Sequence, residues 1–138
     1  MGPVVVGVDG TDTAELAMRR AAAVALAIGA ELHVVVVVTD SVASADDGEL
    51  VMAIDHGDEI VAAAARTAEE AAPGLTVRHA AVPGVKAGDA LVRYVETHKA
   101  QMLVVGNRGM QGLRRLFGSV SNEVTHSAPC DVLVVKTT

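Results

Sequence analysis

Fourteen residues, GNRGMQGLRRLFGS (106–119), hold four glycines and three arginines directly behind the strand-like run MLVV. Glycines at 106 and 109 let the backbone turn sharply and bring its N–H groups close to a ligand. Gly118 and Ser119 open a predicted helix whose free N–H groups and positive dipole end favour an anion, with Ser119 and Ser121 as hydroxyl donors. Arg108, Arg114 and Arg115 add charge with no acid between residues 106 and 118; taking those three charges from the net −6 leaves −9 on the rest of the chain. So much bare backbone and positive charge suits a phosphate-bearing ligand. The plainer explanation stays open at this point: turn-making glycines, and solvated arginines on a short amphipathic segment with Leu113, Leu116 and Phe117 inward. If that segment is helical, Arg114 and Arg115 point about 100° apart, so at most one of them faces the ligand.

Asp9 is the second informative residue. It ends the first strand where a dinucleotide-binding fold places the first glycine of GxGxxG, and a carboxylate there repels a pyrophosphate. An acceptor-only group suits hydroxyls, such as the ribose edge of a nucleotide, or a metal such as Mg²⁺. The alternative is a carboxylate that caps backbone N–H groups of the following GTDT turn. Either role keeps it ionised. Other chemistries fail on residues: the chain has no GxxxxGK[ST], no GxSxG, no HExxH and no Cys/His metal spacing. A phosphoacceptor receiver needs an Asp after the third strand, where this chain has Ala80 to Gly84. The histidines at 33, 56, 79, 98 and 126 are scattered, with His126 alone expected near the ligand and no base–nucleophile pair converging there.

These groups need elements to position them. PVVVGV (3–8) and ELHVVVVV (31–38) are continuous β-branched runs, as in strands buried on both faces of a parallel sheet. LTVRHAAV (75–82) carries charge and reads as a strand nearer an edge, while QMLVV (101–105) and DVLVVK (131–136) complete five strands. Between them lie helices. The first starts at Asp12 and Glu15 in a capping-box-like pattern, is expected to bury Leu16, Ala23, Val24 and Ala27, and stops at Gly29. The second covers 49–72, with Gly57 expected to shorten or bend it and Pro73-Gly74 ending it. The third buries Ala90, Leu91, Tyr94, Val95 and His98, and the last has Ser119 as N-cap and Pro129 as its close. This β-α alternation predicts a doubly wound α/β fold, a parallel sheet with helices on both faces. Ligands in such sheets bind at the carboxyl ends of the strands where the winding reverses; if the first strand is central and the fourth lies beside it, that crevice brings the loops after Val8 and Val105 together.

Composition narrows the class. The 138 residues suit a single domain spanning 1–138. Net charge is −6 and the only aromatics are Tyr94 and Phe117, against a nucleic-acid partner that needs a basic face or stacking platforms. No stretch is long and apolar enough to span a bilayer and no leader is recognisable, so the expectation is a soluble cytoplasmic protein without a membrane partner. Lone Cys130 is expected to be a small buried thiol.

The residues resemble the universal stress protein family across the whole chain: VVVGVDGTDTAELA, the VVVVV second strand, QMLVVGNRGMQG and LFGSVSNEVTHSAPCDVLVVK. The resemblance implies a five-stranded parallel sheet of order 3-2-1-4-5, a homodimer paired through the last strand (Asp131–Lys136), and, in one subclass, ATP or a related adenine nucleotide, AMP and cyclic AMP included. By likeness Asp9 takes ribose hydroxyls and Val8 and Val38 contact the adenine face. Gly106, Gly109 and the turn Gly118, Ser119, Val120 and Ser121 hold ribose and phosphates. Arg108 joins them on charge grounds. That subclass carries G-x2-G-x9-G-[S/T], and here only eight residues, MQGLRRLF, separate Gly109 from Gly118. Three functions follow: a nucleotide-binding stress or regulatory protein with little or no turnover; an interaction module of the same fold that has lost the nucleotide; and a slow hydrolase in which Asp9 helps to hold Mg²⁺.

Overall fold

The computed structural model describes residues 1–38, 47–107 and 123–136, with 47–53 as backbone only. Its elements are β1 (Val4–Val8), α1 (Asp12–Ile28), β2 (Leu32–Val38), α2 (Asp47–Ala71), β3 (Val77–Pro83), α3 (Ala87–His98), β4 (Met102–Gly106) and β5 (Asp131–Val135). A helical stretch at 123–127 precedes β5. The strands form one five-stranded sheet of order β3-β2-β1-β4-β5, every pair parallel. The doubly wound α/β expectation holds, down to the strand order.

Each face of the sheet is covered. Val4, Val6 and Val8 of β1 and Leu32, Val34 and Val36 of β2 pack with α1 and α2 on one side. Val5, Val35, Val37, Leu103 and Val105 pack with α3 and Val124 on the other. All five residues of β1 are buried, which is why VVVGV lacks polar alternation: a central parallel strand has no wet face. β3 is an edge strand with Arg78, His79 and Pro83 exposed, as its mixed composition predicts.

Helix α1 begins one residue before the expected pattern. Its N-cap is Thr11, whose Oγ1 accepts from the Ala14 N–H at 3.2 Å, in place of the Asp12/Glu15 box. Its buried face also differs from the sequence reading: Ala14, Ala17, Met18, Ala21, Ala22 and Ala25 lie against the sheet, while Leu16, Ala23 and Ala27 are exposed and Val24 is half-buried. The stripe of alanines lets the helix axis come close, so the flat valine surface takes the small residues and leaves the large Leu16 outside. Gly29 stops the helix as expected, at φ 71°, with the N–H groups of Gly29 and Ala30 capping Leu26 and Ala25.

Helix α2 runs unbroken through Gly57. The glycine serves approach, since a Cβ there would lie 2.9 Å from Val38 Cγ2 and 3.2 Å from Ala81 Cβ. On α3, Ala90, Leu91 and Val95 are buried, but His98 is exposed and covers Tyr94 with its ring instead of entering the core. Cys130 is partly buried against the α3-side cluster, and burial, then the Asp131 charge, pushes its thiol pKa up. Among the described residues no helix is long and apolar enough to cross a membrane.

Candidate functional site

The site is set by the level at which β1 and β4 end. They pair with Val4 beside Met102, Val5 beside Leu103 and Val6 beside Val104. Both strands run on in the same direction, β1 to Val8 and β4 to Gly106, so Asp9 and Asn107 each follow the carboxyl end of one of two neighbouring strands. Order β3-β2-β1-β4-β5 makes this the point where winding reverses, the crevice position of doubly wound sheets. The Asn107 N–H donates to the Val135 carbonyl at 2.9 Å, which ties the exit of β4 to β5. The carboxylate after the first strand and the start of the glycine-rich segment therefore leave the same end of the sheet from neighbouring strands.

Asp9 divides its two oxygens between two jobs. Oδ1 accepts from the Thr11 N–H at 2.9 Å and the Thr11 hydroxyl at 2.6 Å, and that hydroxyl in turn accepts from Ala14 N–H. This is the turn-capping role read from GTDT as the alternative. Oδ2 is, among the described residues, the one buried side-chain oxygen or nitrogen without a hydrogen-bond partner. A buried, unpaired carboxylate oxygen costs about 1–3 kcal/mol or more, so it marks a position that a donor is expected to meet. Thr11 fixes the carboxyl so that this oxygen cannot turn away.

The apolar residues assigned to the site fall on one face. Val8 lines a cavity of about 170 Å³ between the first turns of α1 and the middle of α2, with Gly10, Thr11, Met18, Ile60 and Ala64. Val38, at the end of β2, meets α2 at Gly57 on the same face, and is less buried than Val8. Gly106 is buried at the end of β4. Val8, Asp9, Val38 and Gly106 are thus all at the carboxyl ends of neighbouring strands. Arg108, Gly109, Gly118, Ser119, Val120 and Ser121 lie outside the described residues, as do Arg114 and Arg115.

Sequence reasoning missed a carboxyl pair at this same end. Asp89, in the first turn of α3, is hydrogen-bonded to Glu123, whose carboxyl also lies against Gly88. The hydrogen bond with Asp89, then desolvation and Asp89's charge, hold the Glu123 pKa above the usual carboxylate range against the pull of Lys86. Nothing local in the sequence signals a pair 34 residues apart; only the packing of two helices on one face brings it about. His126 is exposed on the same helical stretch. For Mg²⁺, no group of three or more His, Cys, Asp or Glu able to hold a metal occurs among the described residues.

A parallel α/β sheet with a buried, half-paired carboxylate at its switch point defines a class of folds, and similarity to known proteins places the chain within it. Residues 1–136 match the universal stress protein family, and the chain belongs to that family. It is 32% identical over 140 residues to universal stress protein MJ0531 of Methanocaldococcus jannaschii, covering 96% of this chain and 81% of the relative. It is 32% identical over 144 residues to universal stress protein Rv1636 of Mycobacterium tuberculosis, covering 98% and 96%. Among solved structures, a universal stress protein in complex with cAMP superposes with TM-score 0.78 at 32% identity, over 99% of this chain and 98% of the other. The universal stress protein of Archaeoglobus fulgidus in complex with dAMP gives TM-score 0.75 at 25% identity, over 99% and 98%.

Proposed function

We propose that this protein binds an adenine nucleotide at the crevice between β1 and β4 and acts as a dimeric stress-response or regulatory protein of the cytoplasm with little or no turnover. The observation that carries the reading is the Asp9 Oδ2 atom, buried and unpaired beside the exit of β4, where a ribose hydroxyl would satisfy it. Val8 and Val38 offer the base an apolar wall on the α1–α2 side. Gly106, Arg108, Gly109 and the turn from Gly118 through Ser119 and Val120 to Ser121 hold the phosphates, with Mg²⁺ carried on the nucleotide rather than by a protein cage. The cAMP and dAMP complexes of related structures support adenine and one phosphate as the shared element. The dimer forms through β5, an edge strand whose Val134 is 38% exposed, because an apolar unpaired edge favours a second strand.

Calorimetry with ATP, ADP, AMP and cyclic AMP, each with and without Mg²⁺, tests the proposal. Saturable binding that is lost in Gly109→Val is the expected result. Silence for all four at millimolar concentration rejects it in favour of the second reading, an interaction module without nucleotide, for which the eight-residue Gly109–Gly118 spacer speaks.

A further inference from the structure

The opposite end of the sheet holds a polar cluster that the nucleotide site does not use. His33, the second residue of β2, is 7% exposed and is the buried polar side chain of the described core. Its Nδ1 is 2.9 Å from the Tyr94 hydroxyl of α3, and its Nε2 is 3.2 Å from Glu31 Oε1. Glu31 also pairs with Arg78 of β3 at 3.4 Å, and Arg78 is the strand partner of His33. His98, one turn beyond Tyr94, stacks on its ring with centroids 3.8 Å apart and meets His33 edge-on at 5.6 Å. The His98 Nδ1 is held by the Tyr94 backbone carbonyl at 2.9 Å.

The partners fix the proton positions. Glu31 is held below the usual carboxylate range, first by the hydrogen bond from His33 and also by Arg78, so it stays an acceptor. His33 must therefore carry its hydrogen on Nε2. In the neutral ring Nδ1 is then a bare acceptor, and Tyr94 is the donor. A second proton can go only to Nδ1, where it meets the Tyr94 hydroxyl head-on.

We propose that His33, Tyr94 and Glu31 form a proton-sensitive clasp between β2 and α3, in which proton uptake by His33 turns Tyr94 from donor to acceptor and loosens the last turns of α3. The surrounding charges give the direction. Glu31, the single carboxylate of the cluster, pairs with a charge on His33 within the β2 side, so what falls across the β2–α3 contact is a charged His33 facing a charged His98 with no carboxylate of the cluster between them. β1 and β4 contribute no titratable side chain, since they read VVVGV and MLVVG. His79 of β3 pairs with Val34 and faces away from His33, and Lys99 caps α3 from an exposed position. Repulsion in acid therefore falls on the contact of α3 with the sheet, 61 residues away in sequence from His33 at Tyr94.

The chain has one tyrosine and no tryptophan, so its fluorescence reports Tyr94 alone. Histidine ¹⁵N spectra and tyrosine emission followed from pH about 8 to about 5 span the ordinary imidazole range. Neutral His33 with hydrogen on Nε2, a Tyr94 emission change that tracks the His33 titration, and amide exchange at residues 94–98 rising about fivefold beyond its intrinsic pH dependence are expected. His33→Gln, which keeps an acceptor and a donor but does not titrate, should flatten the emission, while His98→Gln should keep the step. Hydrogen on Nδ1 in the wild-type neutral form overturns the proposal without any variant. So does an unchanged Tyr94 signal while His33 titrates, or a step that survives in His33→Gln.

Discussion

Replacing Asp9 by Asn separates the two oxygens that the structure distinguishes. The amide oxygen can keep both Thr11 bonds, since those need an acceptor, which places the amide NH₂ where Oδ2 now lies buried. In the ligand-free protein this exchanges an unpaired charged oxygen for a neutral group. The unpaired charge costs about 1–3 kcal/mol or more, so stability should hold within about 1 kcal/mol or rise. In the complex, a hydroxyl donor would face another donor. The loss of one charge-assisted hydrogen bond, about 1.5–3 kcal/mol, weakens nucleotide binding roughly tenfold to a hundredfold. Urea unfolding measures the first quantity and calorimetry the second. A folded Asp9→Asn protein that binds its nucleotide within about twofold of wild type refutes the assignment of Oδ2 to the ligand. A loss of more than about 2 kcal/mol of stability shows instead that the carboxylate is there for the turn.

Five further outcomes follow from packing and charge. Gly57→Ala gains about 1 kcal/mol in helix propensity but forces a methyl into Val38 Cγ2 and Ala81 Cβ at a cost of about 1–3 kcal/mol, so urea unfolding should show a net loss and Gly57→Val a larger one. Gly29→Ala places a side chain at φ 71° and should lower stability by about 1 kcal/mol, with thermal unfolding a few degrees earlier. Glu123 has its folded pKa raised, so the stability linked to it is full below its unfolded value and is lost as pH rises through the folded value; Glu123→Gln should gain stability at neutral pH and flatten that slope. Glu31 has the opposite sign, stability present above the ordinary carboxylate pKa and lost as pH falls through the depressed one, so Glu31→Gln should remove part of the acid sensitivity. For the dimer, Val134→Lys puts a charge on the exposed β5 edge, and sedimentation should change from a dimer to a monomer mass.

What the chain determines by itself is local. Unbroken valine runs without polar alternation specify buried parallel strands, Gly29 and the GTDT turn specify where α1 stops and starts, and the β-α alternation then leaves few ways to wind the sheet. The resemblance carried by VVVGVDGTDTAELA and QMLVVGNRGMQG extends that to the strand order found. Tertiary structure decided everything that depends on which surfaces come close. Periodicity assigned Leu16 to the core because it ranks residues by hydrophobicity, whereas contact with a flat sheet selects the alanine stripe for its size. Gly57 reads as a helix breaker until the distance to Val38 and Ala81 is known. Asp9 was compatible with a ligand and, as the alternative, with a turn; the fold shows each oxygen of its carboxyl in a different environment. His33 with Tyr94, and Asp89 with Glu123, had no signal at all, because their partners are joined by the stacking of helices on a sheet and such non-local contacts exist only once the chain has closed around its core.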